Sequence, residues 1–320
     1  MSTLLLGRGD VLRCMDALSL LEEMRAAFRA DAAPRLAEPH LARATPTGLS
    51  PLEVAFPGVL PGIPATSVSL RTGGGGAPRP GLVHLSSDTG ELLALLDASH
   101  LTALRTGVVG ALAADVLARP ESSRVALLGA GPQASMQLKS LRLVRSLQHV
   151  RVYDENLPRA AELAGRLYTA LNLPVHPAVS VEEAVEDADI VVVALDGTQD
   201  LREPVLLPGM LRAGTHVNVL EARPGLAALS AGLLRQSTVV CDHRALHAAQ
   251  GLPASVGLGA EALQAELGEV LTGQRPGRTA PDQVTVFGAL GLPFQDLTAA
   301  WHVYQAARND EDVRRMDFGA

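Results

Sequence analysis

The stretch RVALLGAGPQA, from Arg124 to Ala134, decides the architecture. A short apolar run ends at Gly129, a second glycine follows at Gly131, and Pro132 and Gln133 open a segment of helical character. Gly129 permits a tight turn, Gly131 lets the backbone approach a pyrophosphate, and Ala134 allows the helix to lie close on the strand. The N–H groups at the start of that helix face the anion. The next apolar run, HVRVYD, closes on Asp154, 25 residues after Gly129. A carboxylate at the end of the second strand accepts hydrogen bonds from a ribose 2'-hydroxyl and repels a 2'-phosphate. NAD(H) is therefore the expected cofactor, with NADP(H) the lesser alternative that Arg151 and Arg159 keep open.

Outward from this unit the rhythm repeats. ADIVVVAL (188–195), THVNVL (215–220) and STVVCD (237–242) are Val-rich runs separated by helix-like segments such as 158–170. Near-continuous apolar strands are buried on both faces, as in a parallel sheet between helices. The expected fold class is α/β, a Rossmann-like doubly wound domain. Ligands of such sheets lie outside the carboxyl ends of the strands, which nominates Ala194 and Leu195 after one run and Val219 and Leu220 after the next, with Asp196 and Glu221 as the ionisable groups there.

The first 118 residues differ. Asp10 is a plausible N-cap, and Leu12, Met15, Leu18, Leu21, Met24 and Phe28 recur at helical spacing. ATSVSLR (65–71) alternates as a strand before the glycine run Gly73 to Gly76, and residues 81–97 read as two strands joined at Asp88-Thr89-Gly90. Residues 102–118 read as a helix with Thr102 near its cap, and the tail from Phe287 to Ala307 returns to helix. The predicted architecture is thus the wound domain plus a mixed α+β domain.

Composition narrows the function. At 320 residues, and with about 150 residues per domain as a prior, two domains are expected. The 27 basic and 34 acidic residues give a net charge of −7, against a nucleic-acid or anionic-membrane partner and in favour of a small molecule. Two cysteines, Cys14 and Cys241, fit a reducing compartment. Arg8, Asp10 and Arg13 follow Leu4 to Leu6 too closely for a signal-peptide core, and no apolar run approaches the roughly 20 residues of a membrane span, so a cytoplasmic protein is expected. Of the basic residues only Lys139 is lysine. Arginine stays charged where lysine can lose its proton and act as a base, so lysine chemistry is confined to one position. His243 and His247 have a metal-ligand spacing but no third ligand, and a helix-surface pair is the simpler expectation.

DTGELLALLD with HLTALRTG (88–107), VALLGAGPQA (125–134), LGEVLTG (267–273) and TVFGALGLPFQDLTAAWHVYQAA (285–307) resemble, in this order, the ornithine cyclodeaminase and mu-crystallin family. The resemblance implies NAD(H) on a dinucleotide domain at 119–292. It also implies a domain at 1–118 plus 293–320 that binds substrate and forms the contact of a homodimer. Known members include cyclising deaminases, ketimine reductases and dehydrogenases of alanine and related amino acids. Arg105 matches the arginine that holds the substrate carboxylate in the family, and a guanidinium near a helix start suits that task. Arg43 falls near an earlier family arginine, slightly out of step.

The departures are as informative. The family's catalytic lysine belongs on the strand at 65–71, where Ala65 or Thr66 stands here, and its cyclodeaminase aspartate falls on Arg223, two residues after Glu221. Thr66, His84 and Glu221 are left as candidate proton-transfer groups, with Arg105, Arg43, Arg71 and Arg223 as candidate substrate-binding groups. So many fixed cations favour a dianionic or keto-acid-like ligand over a diamine. The expected function is NAD(H)-dependent oxidoreduction of a small amino, imino or keto acid. Ornithine cyclodeamination and a silent NAD(H)-binding role stand as alternatives.

Overall fold

The structure, a computed structural model, describes residues 2–32, 38–44, 52–72, 81–195, 203–220 and 228–318. Two compact units divide the chain: Met1–Arg105 with Gly291–Ala320, and Thr106–Leu290. The first division falls inside a continuous helix, so no turn residue marks it; the sequence reading of 118/119 takes the end of that helix in its place.

The first unit is a mixed sheet. Its strands are β1 (Thr3–Leu6), β2 (His40–Ala44), β3 (Leu52–Gly58), β4 (Ala65–Thr72), β5 (Leu82–Ser87), β6 (Leu92–Asp97) and a C-terminal strand, Arg314–Met316. They lie in the order C-terminal strand, β1, β6, β5, β4, β3, β2. β1 runs parallel to β6 and the other pairs are antiparallel. Gly90, at φ +89°, makes the β5–β6 turn the sequence predicts. Side chains alternate between faces: Ala65, Ser67, Ser69 and Arg71 of β4 share the inner face with the buried Val83, Leu85, Ala94 and Leu96, whereas Thr66, Val68 and Leu70 take the outer one. The C-terminal helix, Pro293–Ala307, packs on β3, β4 and β5.

The N-terminal helix is broken in two, α1 (Arg8–Cys14) and α2 (Ala17–Asp31), where the sequence pattern predicts one. Asp16 caps α2 by accepting from Ser19 N at 3.0 Å, while Asp10 sits in the first turn of α1 and accepts from Gly7 N. The break resets the helical phase: Leu12 (47%) and Leu18 (57%) are exposed, and Val11 and Leu20 fill the core instead. α3 (Ala98–Leu117) begins ahead of Thr102, with Asp97 Oδ1 accepting from Ser99 N at 3.1 Å. Contrary to the expectation that no segment reaches membrane-span length, α3 has both the length and the composition, yet 72% of its apolar window is buried in the protein. A helix hydrophobic all round is what a core position requires.

The second unit is the doubly wound domain. Strands β7 (Arg124–Leu128), β8 (His149–Tyr153), β9 (Val175–Pro177), β10 (Ile190–Val193), β11 (His216–Leu220), β12 (Thr238–Cys241), β13 (Ala265–Glu266) and β14 (Thr285–Ala289) lie in the order β13, β12, β14, β11, β10, β7, β8, β9, all parallel. Every residue of β10, β11 and β14 is buried. The expectation of helix from Phe287 is corrected here: Thr285–Ala289 is a central strand, and the helix starts at Pro293. A short, fully buried apolar run shows no period that separates strand from helix.

α4 (Pro132–Leu141) packs on α3 through glycines. A Cβ on Gly107 would stand 2.7 Å from Ser140 Oγ, and one on Gly110 would collide with the Gln137 amide. Gln137 Nε2 donates to Thr106 O at 2.8 Å. The small residues after Arg105, which in sequence suggest room for a ligand, thus receive a helix. Beneath them β11 carries two polar residues: His216 bonds Thr285 Oγ1 (2.9 Å) and Asn218 Oδ1 (3.0 Å), and Asn218 Nδ2 donates to Gly110 O at 2.9 Å. Burial lowers the His216 pKa to about 3, so the ring is neutral.

Candidate dinucleotide and carboxylate sites

β7 delivers the chain to Gly129, whose φ is +110°. A Cβ there would also collide with Ala194 O at the end of β10, so both conformation and space demand glycine. Gly129 N donates to Tyr153 O at 2.8 Å and Ala194 N to Leu128 O at 2.9 Å, which joins the carboxyl ends of β7, β8 and β10. Val219 and Leu220 end the adjacent β11, in register with β10 at Val193. Gly131 is the N-cap of α4 and brings no side chain to it; Pro132 takes the first helical position, Gln133 follows and Ala134 is fully buried. A helix end capped by backbone alone leaves its dipole to an anion.

Asp154, 5% exposed, sits at the end of β8 as predicted. Its Oδ2 accepts from Ala130 N at 2.9 Å and its Oδ1 from Asn156 N at 3.0 Å, with Arg159 Nη1 3.8 Å away. The carboxylate therefore braces the glycine turn itself, a bond the spacing alone does not reveal. Each carboxylate oxygen has more than one acceptor position, so this is compatible with receiving a ribose hydroxyl. A cradle that a Cβ would fill, a helix end open to an anion and an acid at the second strand fit a dinucleotide.

In the first unit two candidate arginines come together. Arg105, 2% exposed, donates from Nε to Asp296 Oδ1 at 2.8 Å and from Nη1 to Gln295 Oε1 at 3.3 Å. Arg71 Nη2 donates to the other oxygen, Asp296 Oδ2, at 2.8 Å, and keeps a quarter of its side chain exposed. Burial works against a charge on Asp296, but the Arg105 and Arg71 guanidiniums outweigh it and hold the carboxyl below its ordinary range. The buried Gln295 Nε2 has no hydrogen-bond partner among the described residues. Gly291, at φ +86°, passes so close that a Cβ would stand 2.5 Å from Arg105 Nη1. Sequence reasoning missed Asp296. In the sequence it is one acid beside Gln295 in a helix that also carries Thr298, His302 and Gln305, and nothing local marks it as buried.

Of the other candidates, Thr66 and His84 lie on the opposite face of the sheet from this pair. Arg43 stands on β2 in register with Glu53, which is itself opposite Arg71. Thr66 is exposed on the outer face, and His84 shares that face, paired in register with Val68 and 3.4 Å from Ser86 Oγ. Asp196, Glu221 and Arg223 lie outside the described residues. Lys139 is exposed in the last turn of α4. His243 and His247 are buried, contrary to the surface pair expected: His243 caps the helix Arg244–Gln250, and His247 Nε2 bonds Asp242 Oδ1 at 2.9 Å. A cleft of about 280 Å³ lined by Arg124, Gln148, His149, Arg151 and Asp187 opens at the amino ends of β7 and β8, the end away from the glycine turn. Its charges are already engaged, Arg124 with Asp187 at 3.1 Å and Arg151 with Glu183 O at 2.6 Å.

Comparison with known proteins agrees with this geometry. Residues 81–311 match the profile of the ornithine cyclodeaminase/mu-crystallin family. Alanine dehydrogenase of Archaeoglobus fulgidus is 34% identical over 239 residues, 73% of this chain and 72% of that protein. Among solved structures, an archaeal alanine dehydrogenase dimer with bound NAD has a TM-score of 0.89 at 28% identity, covering 99% of this chain and 100% of that one. Thermococcus litoralis Δ1-pyrroline-2-carboxylate reductase, in complex with NADH and L-proline, has a TM-score of 0.87 at 25% identity, covering 98% and 100%. On the extent of these matches, the chain belongs to the ornithine cyclodeaminase/mu-crystallin family.

Proposed function

We propose that this protein is an NAD(H)-dependent oxidoreductase of a small amino, imino or keto acid, working as a homodimer, with Arg105 holding the substrate carboxylate. The observation that carries the reading is the glycine turn braced by Asp154 through Ala130 N. In it Gly129, Gly131 and Ala134 would admit the pyrophosphate, Asp154 the adenosine ribose, and Ala194, Leu195, Val219 and Leu220 would line the adjoining strand ends. When bound, NAD(H) supplies or accepts a hydride. The chain's own contribution is to bind and orient the acid: Arg105 is pre-set by Asp296 and Gln295, and a guanidinium fixed in this way loses little freedom on gripping a carboxylate.

With Ala65 and Thr66 on the strand where the family's lysine belongs, and Lys139 exposed on α4, proton transfer falls to a group other than lysine. Hydride transfer depends chiefly on placement and survives that change better than deamination does. Calorimetry is expected to show NADH binding more tightly than NADPH, and Asp154→Ala to narrow the difference. Absorbance of the reduced nicotinamide should fall when NADH meets a keto acid and ammonium, one proton being consumed and one water released per amino acid formed. Proline made from ornithine with no net NADH change would replace this reading with cyclodeamination, and NADH binding without turnover would replace it with a silent carrier.

A further inference from the structure

Gln295 is wholly buried in the first turn of the C-terminal helix, and only half of its amide is satisfied. Oε1 accepts from Arg105 Nη1 at 3.3 Å, whereas Nε2 has no hydrogen-bond partner among the described residues. The opposite rotation of the amide is excluded. A guanidinium only donates, so the atom turned to Arg105 is the oxygen and the NH2 group is the one left over. Nor can the pair move apart to let the amide turn elsewhere. Asp296 Oδ1 holds Arg105 Nε at 2.8 Å, and Gly291 passes so close that a Cβ on it would stand 2.5 Å from Nη1.

A buried donor without an acceptor is costly, and a native protein keeps one where something from outside the chain completes it. The position of Nε2 says what that is. It shares its carbon with the oxygen that meets Arg105, so the acceptor it lacks lies beside the guanidinium assigned above to the substrate carboxylate. It offers protons and no lone pair, so a carboxylate oxygen suits it and an ammonium does not. The cluster is also not sealed from solvent, since Arg71, on the other oxygen of Asp296, keeps a quarter of its side chain exposed. We propose that Gln295 is a further substrate-binding residue, its Nε2 donating to the carboxylate that Arg105 grips, so that a charged and a neutral donor hold the acid together. The inference rests on Arg105 being that anchor. It also gives the acid a direction: the carboxylate end, not the nitrogen, meets the first turn of the helix.

The experiment uses the full-length protein saturated with NADH and, as probes, pyruvate, 2-oxobutyrate and 2-oxoglutarate. Calorimetry measures acid binding, and reductive amination is followed in parallel. Gln295→Met removes the amide; Gln295→Glu keeps an oxygen for Arg105 and replaces only the donor. Both are expected to weaken acid binding about tenfold or more, raising KM more than they lower kcat. In nuclear magnetic resonance the side-chain amide signal of Gln295, identified by its loss in either variant, is expected to shift when acid is added, and its protons to exchange more slowly with water. An amide with a purely structural role would show neither change. Unchanged acid affinity in Gln295→Met, or an amide signal indifferent to the acid, overturns the proposal while leaving the Arg105 anchor in place, Nε2 then being completed by water. Weakening in Gln295→Glu alone overturns it as well, because the added charge is then sufficient cause. A wild type that binds none of the three acids removes the Arg105 reading and the inference with it. Should one variant not fold, the other and the wild-type amide signal decide. Acid binding that moves the amide signal without any turnover supports the inference while removing the oxidoreductase reading.

Discussion

Asp296 shows how one buried residue fixes the positions of two others. A carboxylate removed from water is tolerated only with its charge compensated, and two guanidiniums compensate it from opposite sides. The same arrangement keeps Arg105 from relaxing toward solvent. His216 presents the opposite case, a buried ionisable group kept neutral. Its folded pKa of about 3 lies below the ordinary 6.5, so as pH falls through that interval the unfolded chain takes up a proton the folded protein refuses. Stability is therefore intact above pH 6.5 and declines toward pH 3, by about 2 kcal/mol at pH 5 from this one group. His216→Gln is expected to lower stability at pH 7, through imperfect bonding to Thr285 and Asn218, yet to show a shallower decline between pH 7 and pH 5. Urea unfolding at the two pH values measures both effects; parallel slopes for the two proteins would remove His216 from the acid response. Neither residue announces its role in the sequence. Asp154 does, because its position at a strand end follows from a local pattern, whereas Asp296 and His216 acquire their meaning from partners 191 and 69 residues away.

At the scale of elements, legibility follows the same division between local and distant causes. The strands at 124–128, 149–153, 190–193, 216–220 and 238–241 were readable because burial on both faces leaves a Val-rich run bounded by turns. β14 was not, because its five residues abut a helix with the same composition and only its place between β11 and β12 makes it a strand. The break between α1 and α2 was hidden for a different reason: Asp10 and Asp16 are equally good caps, and the apolar spacing nearly bridges them. The glycines of α3 carry a prediction. Gly110 makes room for the Gln137 side chain, which in turn bonds the α3 backbone at Thr106 O. Since Gln137 belongs to α4, whose first turn follows Gly131, a displaced Gln137 shifts the helix on which the dinucleotide turn is built. Gly110→Ala is expected to cost about 1–3 kcal/mol by overpacking, despite the higher helix propensity of alanine, and to weaken NADH binding. Thermal unfolding and NADH titration check the two halves. A variant more stable than the wild type would mean that α3 and α4 separate freely.

For the whole molecule the decisive feature is the outer face of the first unit's sheet. α2 and the C-terminal helix serve the inner side, where Leu85, Leu96, Met24 and Phe28 are buried. The outer side carries Val68 and Leu95, with Phe56 at 37% and Leu82 at 38% exposure, and Leu70 opposite Leu82 across β4 and β5. Apolar residues grouped in this way on one sheet face, beside Thr66 and His84, would suit the homodimer contact proposed above. Alternation explains why they lie together: the residues of β4 that turn away from Asp296 are the ones that turn toward this surface, so a single strand serves both the charge cluster and the proposed dimer contact. A surface that pairs with its own copy repeats each residue about a two-fold axis, so one charge introduced there is introduced twice. Sedimentation is accordingly expected to show a dimer for the wild type, and Leu82→Glu to give monomer with NADH affinity retained, since Gly129, Gly131 and Asp154 belong to the other unit. A wild-type monomer at micromolar concentration, or a Leu82→Glu variant that sediments unchanged, would assign this face to another partner. Loss of NADH binding along with the dimer would instead show that the dinucleotide turn depends on assembly, a coupling that the bonds within the second unit give no reason to expect.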